Sequence, residues 1–478
     1  MNPDKWMVFI LVAIGVFMCT LDSSIVNIAV PTIMDDFDVR LPVVQWVVMA
    51  YLLTVSALLL CFGRLSDIRG RQWVYMRGMV VFTIGSALCG TAPGAAWLIV
   101  ARALQGVGAA MIMACTPALV VDHFPPMERG RALGIVGTIV ATGLTAGPAL
   151  GGAILSVASW RYIFYINIPV GVAAVALSIR ILGGGREKVS SGESFDWAGA
   201  ALLAISLGAL LTGLSRGSEW GYLSARTLAF LAVFAVCAPV LIAVELKSEH
   251  PVLDPDLFKN RLFSLSMLAA MLLFLSLFVV VFLMPFYLLK PGGFTEQAAG
   301  IMMTIPFVFL FVMSPFSGYL SDKVGSRILC TAGMAVMAIS LYSLARLPLS
   351  AGAVAIAWRL SLAGLGASLF LPPNSAAALS SVPDNRRGIA SATVATARNL
   401  GMVVGVALAG AVFDWTFAAQ SGGRTLKEYG PELSGAFMSA FHAATLAGAV
   451  VAAGAVAVAW LRGPDVRFKR PPGIHPDI

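Results

Sequence analysis

The sequence predicts an all-α polytopic membrane protein with fourteen transmembrane helices. Of its 478 residues, 59% are hydrophobic and only 12% are charged, and the mean hydropathy is +0.87. A soluble chain of this length needs more charge to cover its surface. Apolar stretches recur along nearly the whole chain, and each is long enough to cross about 30 Å of hydrocarbon.

The bounds of the fourteen helices follow from where the apolar stretches begin and end. The first stretch is too long for a signal peptide and lacks a small-residue cleavage site, so we expect it to remain as the first helix. The predicted helices lie at 6–30, 43–62, 73–92, 96–120, 131–156, 162–182, 195–214, 226–246, 262–288, 297–320, 327–346, 350–379, 388–413 and 437–462.

The basic residues predict the orientation of these helices. With the amino terminus in the cytoplasm, the cytoplasmic connections hold 21 of the 32 Lys and Arg residues and the opposite connections hold eight. The other three, Arg102, Arg359 and Arg398, fall inside helices. Cytoplasmic loops are typically enriched in Lys and Arg, so we expect both termini in the cytoplasm. The net charge of +8 then faces anionic lipid headgroups, and no nucleic-acid partner is expected.

The chain repeats itself with a period of about 255 residues. This period predicts two parallel six-helix halves, an architecture of transporters that place the substrate path between the halves. The sequence shows no carbonyl-rich filter or ring of acids typical of channels. The matched segments are 63–71 with 318–327, 106–113 with 364–371, 128–152 with 385–410, and Pro31, taken as the end of the first helix, with Pro285.

The repeat divides the chain into four predicted parts. An amino-terminal six-helix half occupies 1–182, and a carboxy-terminal six-helix half occupies 259–463. Two extra helices, the seventh and eighth, lie at 183–258 with flanking cytoplasmic linkers, and a cytoplasmic tail follows at 464–478.

The polar residues give no sign of an enzyme, a cofactor or a metal site. The six cysteines are scattered through apolar segments without paired spacing, which disfavours both a disulfide framework and a metal site. The four histidines do not cluster, and no phosphate-binding glycine loop is present. We therefore expect no cofactor, no metal and no ATP drive.

A series of motifs, in order along the chain, resembles the major facilitator superfamily, and within it the fourteen-helix drug:proton antiporters of the multidrug efflux type. WRYIFYINIPVG at 160–171 and FDWAGAALL at 195–203 are also similar to that fourteen-helix branch. The main motifs are LDSSIVNIAVP at 21–31 in the first helix, GRLSDIRGR at 63–71 between helices 2 and 3, RALQGVGAA at 102–110 in the fourth helix, and GLTAGPALGG at 143–152, the fifth-helix motif associated with exporters.

The fifth-helix motif places Gly143, Gly147 and Gly151 on one helical face. Small residues at this spacing let another helix approach closely, and Pro148 removes a helical hydrogen bond and should bend the helix. Ordinary tight packing explains the pattern equally well. The resemblance implies a bend that limits leakage and favours export.

The loop motif places Asp67 among arginines in a short cytoplasmic connection, where Gly63 and Gly70 would permit a tight turn with closely spaced backbones. Asp67 could pair with an arginine such as Arg71 near a helix amino terminus, where the helix dipole favours an anion. Solvated charges that only set the topology are one interpretation. The resemblance implies a latch that holds the cytoplasmic side shut, with a weaker counterpart at Asp322.

Asp22 lies well inside an apolar segment, roughly 13 Å from the outer end at Pro31 if each residue rises about 1.5 Å. Arg102 lies five residues after Trp97, at the outer end of the fourth helix, so the two charges should lie at similar depth. A carboxylate there must be paired, protonated or exposed to a wet cavity. Asp22 is thus a structural partner of Arg102, a counter-ion for a cationic substrate, or a proton carrier. The resemblance implies that both residues couple transport to proton movement.

Asp22 itself and four other polar residues are candidates for substrate binding. Asn27 follows Asp22 by five residues, and Asn374 follows a Pro-Pro pair. Arg398 and Asn399 fall about ten residues into the thirteenth predicted helix. For Arg398 we expect snorkelling or a helix–helix hydrogen bond before contact with an anionic or zwitterionic substrate.

Two further patterns concern the membrane interior. Asp22 is the only acid placed squarely inside a predicted helix, because Asp414 falls at the outer edge of the thirteenth helix, where we expect it to be solvated. Phe278, Phe282 and Phe286 repeat every four residues, and such a stripe is more often core or lipid-facing than part of a drug site.

These observations predict a multi-pass transporter of the plasma (inner) membrane that exports hydrophobic or amphiphilic drugs in exchange for protons by alternating access. Its partners would be small amphiphilic substrates, protons and the lipid bilayer, and it would function as a monomer driven by the proton gradient. A dedicated exporter of one metabolite or lipid, a proton-coupled importer, and a sensor that lost transport remain as alternatives.

Overall fold

The computed structural model describes residues 5–182, 197–221, 223–245, 255–383 and 386–463, and the side chains of Asp67 and Asp322 lie outside this description. The predicted linkers at 183–196 and 246–254 and the tail at 464–478 also lie outside the described residues. Within the described part, the α-helices are α1 (Lys5–Asp36), α2 (Leu41–Arg69), α3 (Arg71–Gly90), α4 (Ala95–His123), α5 (Pro126–Leu155), α6 (Tyr162–Tyr165), α7 (Asn167–Leu182), α8 (Trp197–Trp220), α9 (Ala225–Glu245), α10 (Arg261–Leu289), α11 (Glu296–Val324), α12 (Ser326–Leu344), α13 (Ala353–Ser380), α14 (Arg387–Gln420) and α15 (Ser434–Leu461).

The helices match the predicted spans one for one. Thirteen segments of the described chain, with α6 and α7 counted as one, are long and apolar enough to cross a bilayer. The remaining predicted span corresponds to α8, a helix of 24 residues. The all-α polytopic fold predicted from the sequence is therefore confirmed.

The repeated loop motif folds into the same turn in both halves. The backbone φ angle is 98° at Gly70, between α2 and α3, and 89° at Gly325, between α11 and α12. Each glycine donates its N–H to the carbonyl oxygen of the serine four residues earlier, Ser66 or Ser321. Glycine adopts positive φ at little cost, which explains why both copies carry it at this position.

The repeated glycine motif also has the same packing role in both halves. A Cβ atom added to Gly108 of α4 would lie 2.8 Å from the carbonyl oxygen of Gly78 in α3. A Cβ atom added to Gly366 of α13 would lie 2.8 Å from the carbonyl oxygen of Gly333 in α12. Small residues thus allow the backbones to approach closely at equivalent positions of the two halves.

The two halves contact each other along two seams, α2 on α14 and α5 on α11. We call the end of the bundle that carries the α1–α2 connection the outer end, following the predicted orientation. There Lys290 lies 3.1 Å from Asp35, and Lys427 lies 2.7 Å from Asp38. Both ion pairs that join the halves within the described part of the chain lie at this end.

The extra helices lie across one of these seams. α8 packs against both α2 and α14, so it contacts both halves. α9 packs against α8, where Trp220 stacks on Phe230 with 5.7 Å between ring centroids, and its remaining surface is largely exposed. The pair therefore bridges the halves on one side of the bundle.

Two predicted positions are wrong because helices continue beyond the expected ends. Pro31 lies inside α1, as Pro285 lies inside α10. α14 reaches Gln420, since Phe413 and Phe417 stack with 6.0 Å between centroids and so extend the packed face. Asp414 consequently lies inside this helix with 6% exposure, and Asp22 is not the only acid within a span.

Candidate functional site

Asp22 of α1 and Arg102 of α4 meet inside the amino-terminal half, as their predicted depth requires. The Arg102 Nη1 atom donates to Asp22 Oδ2 at 2.5 Å. Their exposed fractions are 0% for Asp22 and 1% for Arg102. Charges buried this deeply are stable only when paired and hydrogen-bonded.

Two amides complete the hydrogen bonding of this pair. Asp22 Oδ1 accepts hydrogen bonds from Gln105 Nε2 at 2.8 Å and from Asn167 Nδ2 at 3.1 Å. Gln105 Oε1 in turn accepts from Arg102 Nη1 at 2.6 Å. Neither amide is predicted from the sequence as part of the site. Gln105 follows Arg102 by three residues on one helical face, a spacing that could have identified it as part of the site. For Asn167, the only signal in the sequence was a polar residue within an apolar stretch.

Tyr51 of α2 separates the ion pair from the space between the halves. Its ring centroid lies 4.2 Å from the guanidinium carbon of Arg102, a distance suited to a cation–π interaction. Its hydroxyl donates to the Cys19 carbonyl oxygen at 3.0 Å, which fixes the ring against α1. Arg102 also donates from Nε to the Val47 carbonyl oxygen at 3.0 Å.

The glycines of the fifth-helix motif position α5 against the segment of α1 that carries Asp22. A Cβ atom added to Gly143, Gly147 or Gly151 would come within 3.1 Å of atoms of α1. Ser24 of α1 donates to the Gly143 carbonyl oxygen at 3.2 Å. Pro148 lies inside α5 without ending it. Close packing thus accounts for the glycines, and the gating bend at Pro148 stays a prediction.

A central cavity of about 270 Å³ lies between the two halves. Its walls are mostly aliphatic and aromatic, as is usual for small-molecule sites. Tyr51 lines it from the amino-terminal half, so one ring contacts both the cavity and Arg102. Its polar and aromatic lining residues include Thr20, Ser23, Tyr51, Phe274, Phe278, Ser314, Arg398 and Asn399.

The structure brings two of the five predicted substrate-binding residues to this cavity, Arg398 and Asn399. Asp22 is enclosed by its own partners. Asn27 is buried, and its amide donates to the Ser23 carbonyl oxygen of its own helix at 2.9 Å. Phe278 lines the cavity, whereas Phe282 and Phe286 are buried in the core, so the stripe does not face lipid.

Asn374 lies away from the cavity lining in a separate polar cluster. Its Nδ2 atom donates to the Ser266 carbonyl oxygen at 3.0 Å, and its Oδ1 atom accepts from Arg462 Nη1 at 3.1 Å. Arg462 also donates to the Ser326 hydroxyl. Asn374 therefore ties together α10, α13 and the end of α15.

The predicted latch residues lie around the α2–α3 turn. Arg71 Nη1 contacts both carboxylate oxygens of Asp122 at 2.5 and 2.6 Å, so it joins α3 to α4 inside one half. The side chain of Asp67 lies outside the described part. Gly63 lies inside α2 with open space at its Cβ position, so the predicted turn at Gly63 is wrong and the turn is made at Gly70 alone.

The sequence matches a known family and its curated members. It fits the model described as Major Facilitator Superfamily over residues 12–405 and again over residues 266–476. It is 37% identical over 421 residues to the riboflavin transporter RibZ of Clostridioides difficile, covering 87% of this chain and 89% of that protein. It is 32% identical over 415 residues to the multidrug resistance protein Stp of Mycobacterium tuberculosis, covering 86% of this chain and 76% of that protein.

Solved transporters share the fold. A bacterial homologue of the human lysosomal transporter Spinster, in an inward-facing and unoccupied conformation, superposes with a TM-score of 0.68 at 15% identity, covering 97% of each chain. The xylose transporter XylE of E. coli superposes with a TM-score of 0.63 at 13% identity, covering 98% of this chain and 100% of that chain.

Proposed function

The chain belongs to the Major Facilitator Superfamily, and we propose that within this family of transporters it is an antiporter of the fourteen-helix type, which exports small amphiphilic compounds from the cytoplasm in exchange for protons. The observation that carries the proposal is the buried Asp22–Arg102 pair beside a central cavity. An ionisable residue inside the membrane indicates a functional site unless another role accounts for it.

The hydrogen bonds around the pair support a role for Asp22 as the proton carrier. When a proton binds to the Asp22 carboxylate, the charge attraction to Arg102 is lost. Arg102 nevertheless retains its hydrogen bonds to the carbonyl oxygen of Val47 and the amide oxygen of Gln105, and its contact with the ring of Tyr51. The arginine therefore keeps hydrogen-bond partners in both protonation states of Asp22, as a buried charged group requires.

Tyr51 supplies a route by which substrate and proton affect each other. A compound in the cavity would contact the Tyr51 ring, and any displacement of that ring alters the environment of Arg102. Binding of substrate and release of the proton by Asp22 are then linked through one side chain. Exchange requires this linkage, because a transporter that bound substrate and proton independently could carry either one across the membrane alone.

The contacts between the halves support an alternating-access cycle in which this conformation opens toward the cytoplasm. The described ion pairs between the halves lie at the outer end, where a Cβ atom added to Gly152 of α5 would lie 2.9 Å from the Gly300 Cα atom of α11. In the proposed cycle, substrate enters from the cytoplasm, the halves rock, and protonation of Asp22 from outside accompanies release.

A dedicated exporter of one metabolite is the second candidate. It is favoured by the likeness to a protein named as a riboflavin transporter, whereas the likeness to a protein named for multidrug resistance favours the broader substrate range. Both candidates use the same cavity and the same proton site, so they differ only in how many compounds drive exchange.

Everted membrane vesicles with an acid interior test the proposal. We expect added amphiphiles to collapse the pH gradient in wild-type vesicles but not in vesicles with Asp22→Asn. Asp414→Asn is the matched control, because it makes the same change at a buried acid of the other half. Equal collapse with Asp22→Asn would remove Asp22 from the proton pathway. A response to riboflavin alone, in a panel of charged and neutral amphiphiles, would favour the dedicated exporter.

A further inference from the structure

Arg398 of α14 places a positive charge on the wall of the central cavity. Among the described residues that line the cavity, it is the only charged one. Its Nε atom has no hydrogen-bond partner, and the described ion pairs include none with its guanidinium group. Its guanidinium carbon lies 5.6 Å from the ring centroid of Phe274. The helix–helix hydrogen bond expected from the sequence is therefore not what holds this arginine.

The other polar groups of the cavity do not compensate this charge. The hydroxyls of Thr20, Ser23 and Ser314 donate to carbonyl oxygens of their own helices. Tyr51 donates to the carbonyl oxygen of Cys19. Arg398 and the adjacent amide of Asn399 are thus the groups that remain to donate hydrogen bonds to a bound molecule.

Among the described residues that line the cavity, none carries a carboxylate that could receive a cation. Asp22 is the acid nearest in sequence to the lining residues of α1, yet it is fully buried, and both of its oxygens accept hydrogen bonds from protein groups. A cationic compound in this space would meet the Arg398 charge without an opposing acid, and its desolvation would be unfavourable.

We infer that the cavity selects small amphiphilic organic anions, whose negative group binds to Arg398 while their apolar body lies against residues such as Phe278. This inference rests on the proposed transport function and specifies its substrate class. A guanidinium group presents several N–H donors in a plane, which suits carboxylate, sulfonate and phenolate oxygens. The aromatic and aliphatic walls suit the remainder of an amphiphile.

The test uses two fluorescent probes with the same xanthene skeleton. Fluorescein methyl ester is an anion at neutral pH, and the methyl ester of its diamino analogue is a cation of nearly the same shape. Fluorescence anisotropy with purified protein in lipid nanodiscs gives the affinity for each probe. We expect wild-type protein to bind the anion more tightly, and Arg398→Gln to weaken anion binding by about 10- to 100-fold, as expected for a lost charge-assisted hydrogen bond.

Two further variants keep the test decisive. Arg398→Lys retains the charge and should retain a measurable preference for the anion, even if Arg398→Gln folds poorly. Arg346→Gln removes the same charge from an exposed site of the same half and should change neither affinity. Equal or tighter binding of the cation to wild-type protein, or unchanged anion binding in Arg398→Gln, would overturn the inference.

Proton measurements separate this inference from the proposed function. If the anion binds through Arg398 but its movement does not move protons, the antiport proposal fails and the assignment of the anion site stands. If both probes bind equally and both exchange for protons, the antiport proposal stands and the assignment fails.

Discussion

Among single residues, Asp22 and Arg102 are charged groups buried inside the described chain, and their surroundings offset the cost of burying them. A buried ion pair is stable only if the remaining donors and acceptors are satisfied. Gln105 bridges the two charges, and Asn167 occupies the second carboxylate oxygen. The site is therefore held in one geometry by four side chains from three helices, and a change in the charge of Asp22 acts on its contacts with Arg102, Gln105 and Asn167.

Tyr51 gives the first prediction at this scale. Tyr51→Leu should lower substrate-dependent proton exchange by roughly 3- to 30-fold, because a desolvated cation–π interaction is lost between the cavity and Arg102. Tyr75→Leu is the control, since Tyr75 is equally buried and its hydroxyl also donates to a carbonyl oxygen of α1, at Leu11. Exchange is measured per folded molecule in vesicles.

The two tyrosine variants must differ for the coupling role to hold. Both remove a buried ring and one hydrogen bond, so their effects on thermal unfolding should be similar. If exchange falls equally in both, Tyr51 serves only to stabilise the fold.

The charges of the site could be predicted from the sequence, but the residues that surround them could not. Asp22 and Arg102 stood out because ionised groups are rare in apolar stretches, and equal depth implied contact. Asn167 gave no such signal, because its contact with Asp22 depends on how α7 packs against α1. Asn374 was a candidate for substrate binding because, like Asp22, it is a polar residue within an apolar segment, yet its side chain binds Arg462. Polarity within a helix does not tell which side of the helix faces the cavity.

At the scale of helices, α5 links the segment of α1 that carries Asp22 to the seam between the halves. One face packs through Gly147 against α1, and the adjacent face packs through Gly152 against α11 of the other half. A shift of α5 during transport would therefore change the packing of the helix that carries Asp22. The small residues make such sliding possible without side-chain clashes.

Gly147→Ala tests this packing. The added methyl group would clash with Ser24 and with the backbone of α1, so we expect loss of thermal stability and of exchange. Gly134→Ala in the same helix is the control, since Gly134 is exposed and has open space at its Cβ position. Alanine there should be neutral or stabilise the helix by about 0.5–1 kcal/mol. Equal behaviour of the two variants in thermal unfolding would contradict the assigned packing.

The helices themselves could be predicted because an apolar segment within the bilayer must satisfy its backbone hydrogen bonds internally, which a helix does. Their ends were harder to predict. Proline is tolerated inside membrane helices, so Pro31 did not end α1. The end of α14 depends on aromatic packing between Phe413, Phe417 and Phe437, which only the tertiary structure shows.

For the whole molecule, two ion pairs join the halves at the outer end, in addition to the packed seams of α2 on α14 and α5 on α11. The pairs of Asp35 with Lys290 and of Asp38 with Lys427 are partly exposed, so each contributes only about 0.2–1 kcal/mol. Such weak contacts suit a transporter, because the closed arrangement must open in every cycle.

Replacing both lysines tests whether these ion pairs hold the outer end closed. Lys290→Gln with Lys427→Gln should increase the outward-open population by roughly two- to tenfold, since two weak ion pairs are lost. Spin labels at the exposed outer positions Val157 and Gln420 report the distance between the halves. Arg161→Gln is the control, because Arg161 pairs with Asp36 inside one half. An unchanged distance distribution in the double variant would show that these pairs do not hold the outer end closed.

The two-halved architecture could be predicted from the repeat, because the repeated glycines specify the same turn and the same helix contacts twice. How the two halves are arranged relative to each other could not be predicted, since a transporter sequence encodes more than one arrangement. Likewise, no local sequence pattern predicted that α8 contacts both halves.

Proton movement by the purified protein tests the central claim most directly. Proteoliposomes are loaded with a compound that collapses the gradient in vesicles, diluted into compound-free buffer without any imposed pH gradient, and followed with an internal pH dye. We predict that compound leaving wild-type liposomes draws protons inward and acidifies the interior, whereas Asp22→Asn still exchanges labelled for unlabelled compound but gives no acidification. Acidification that persists in Asp22→Asn, or compound that leaves wild-type liposomes without any proton entry, would contradict the assignment of Asp22 as the proton carrier of an antiporter.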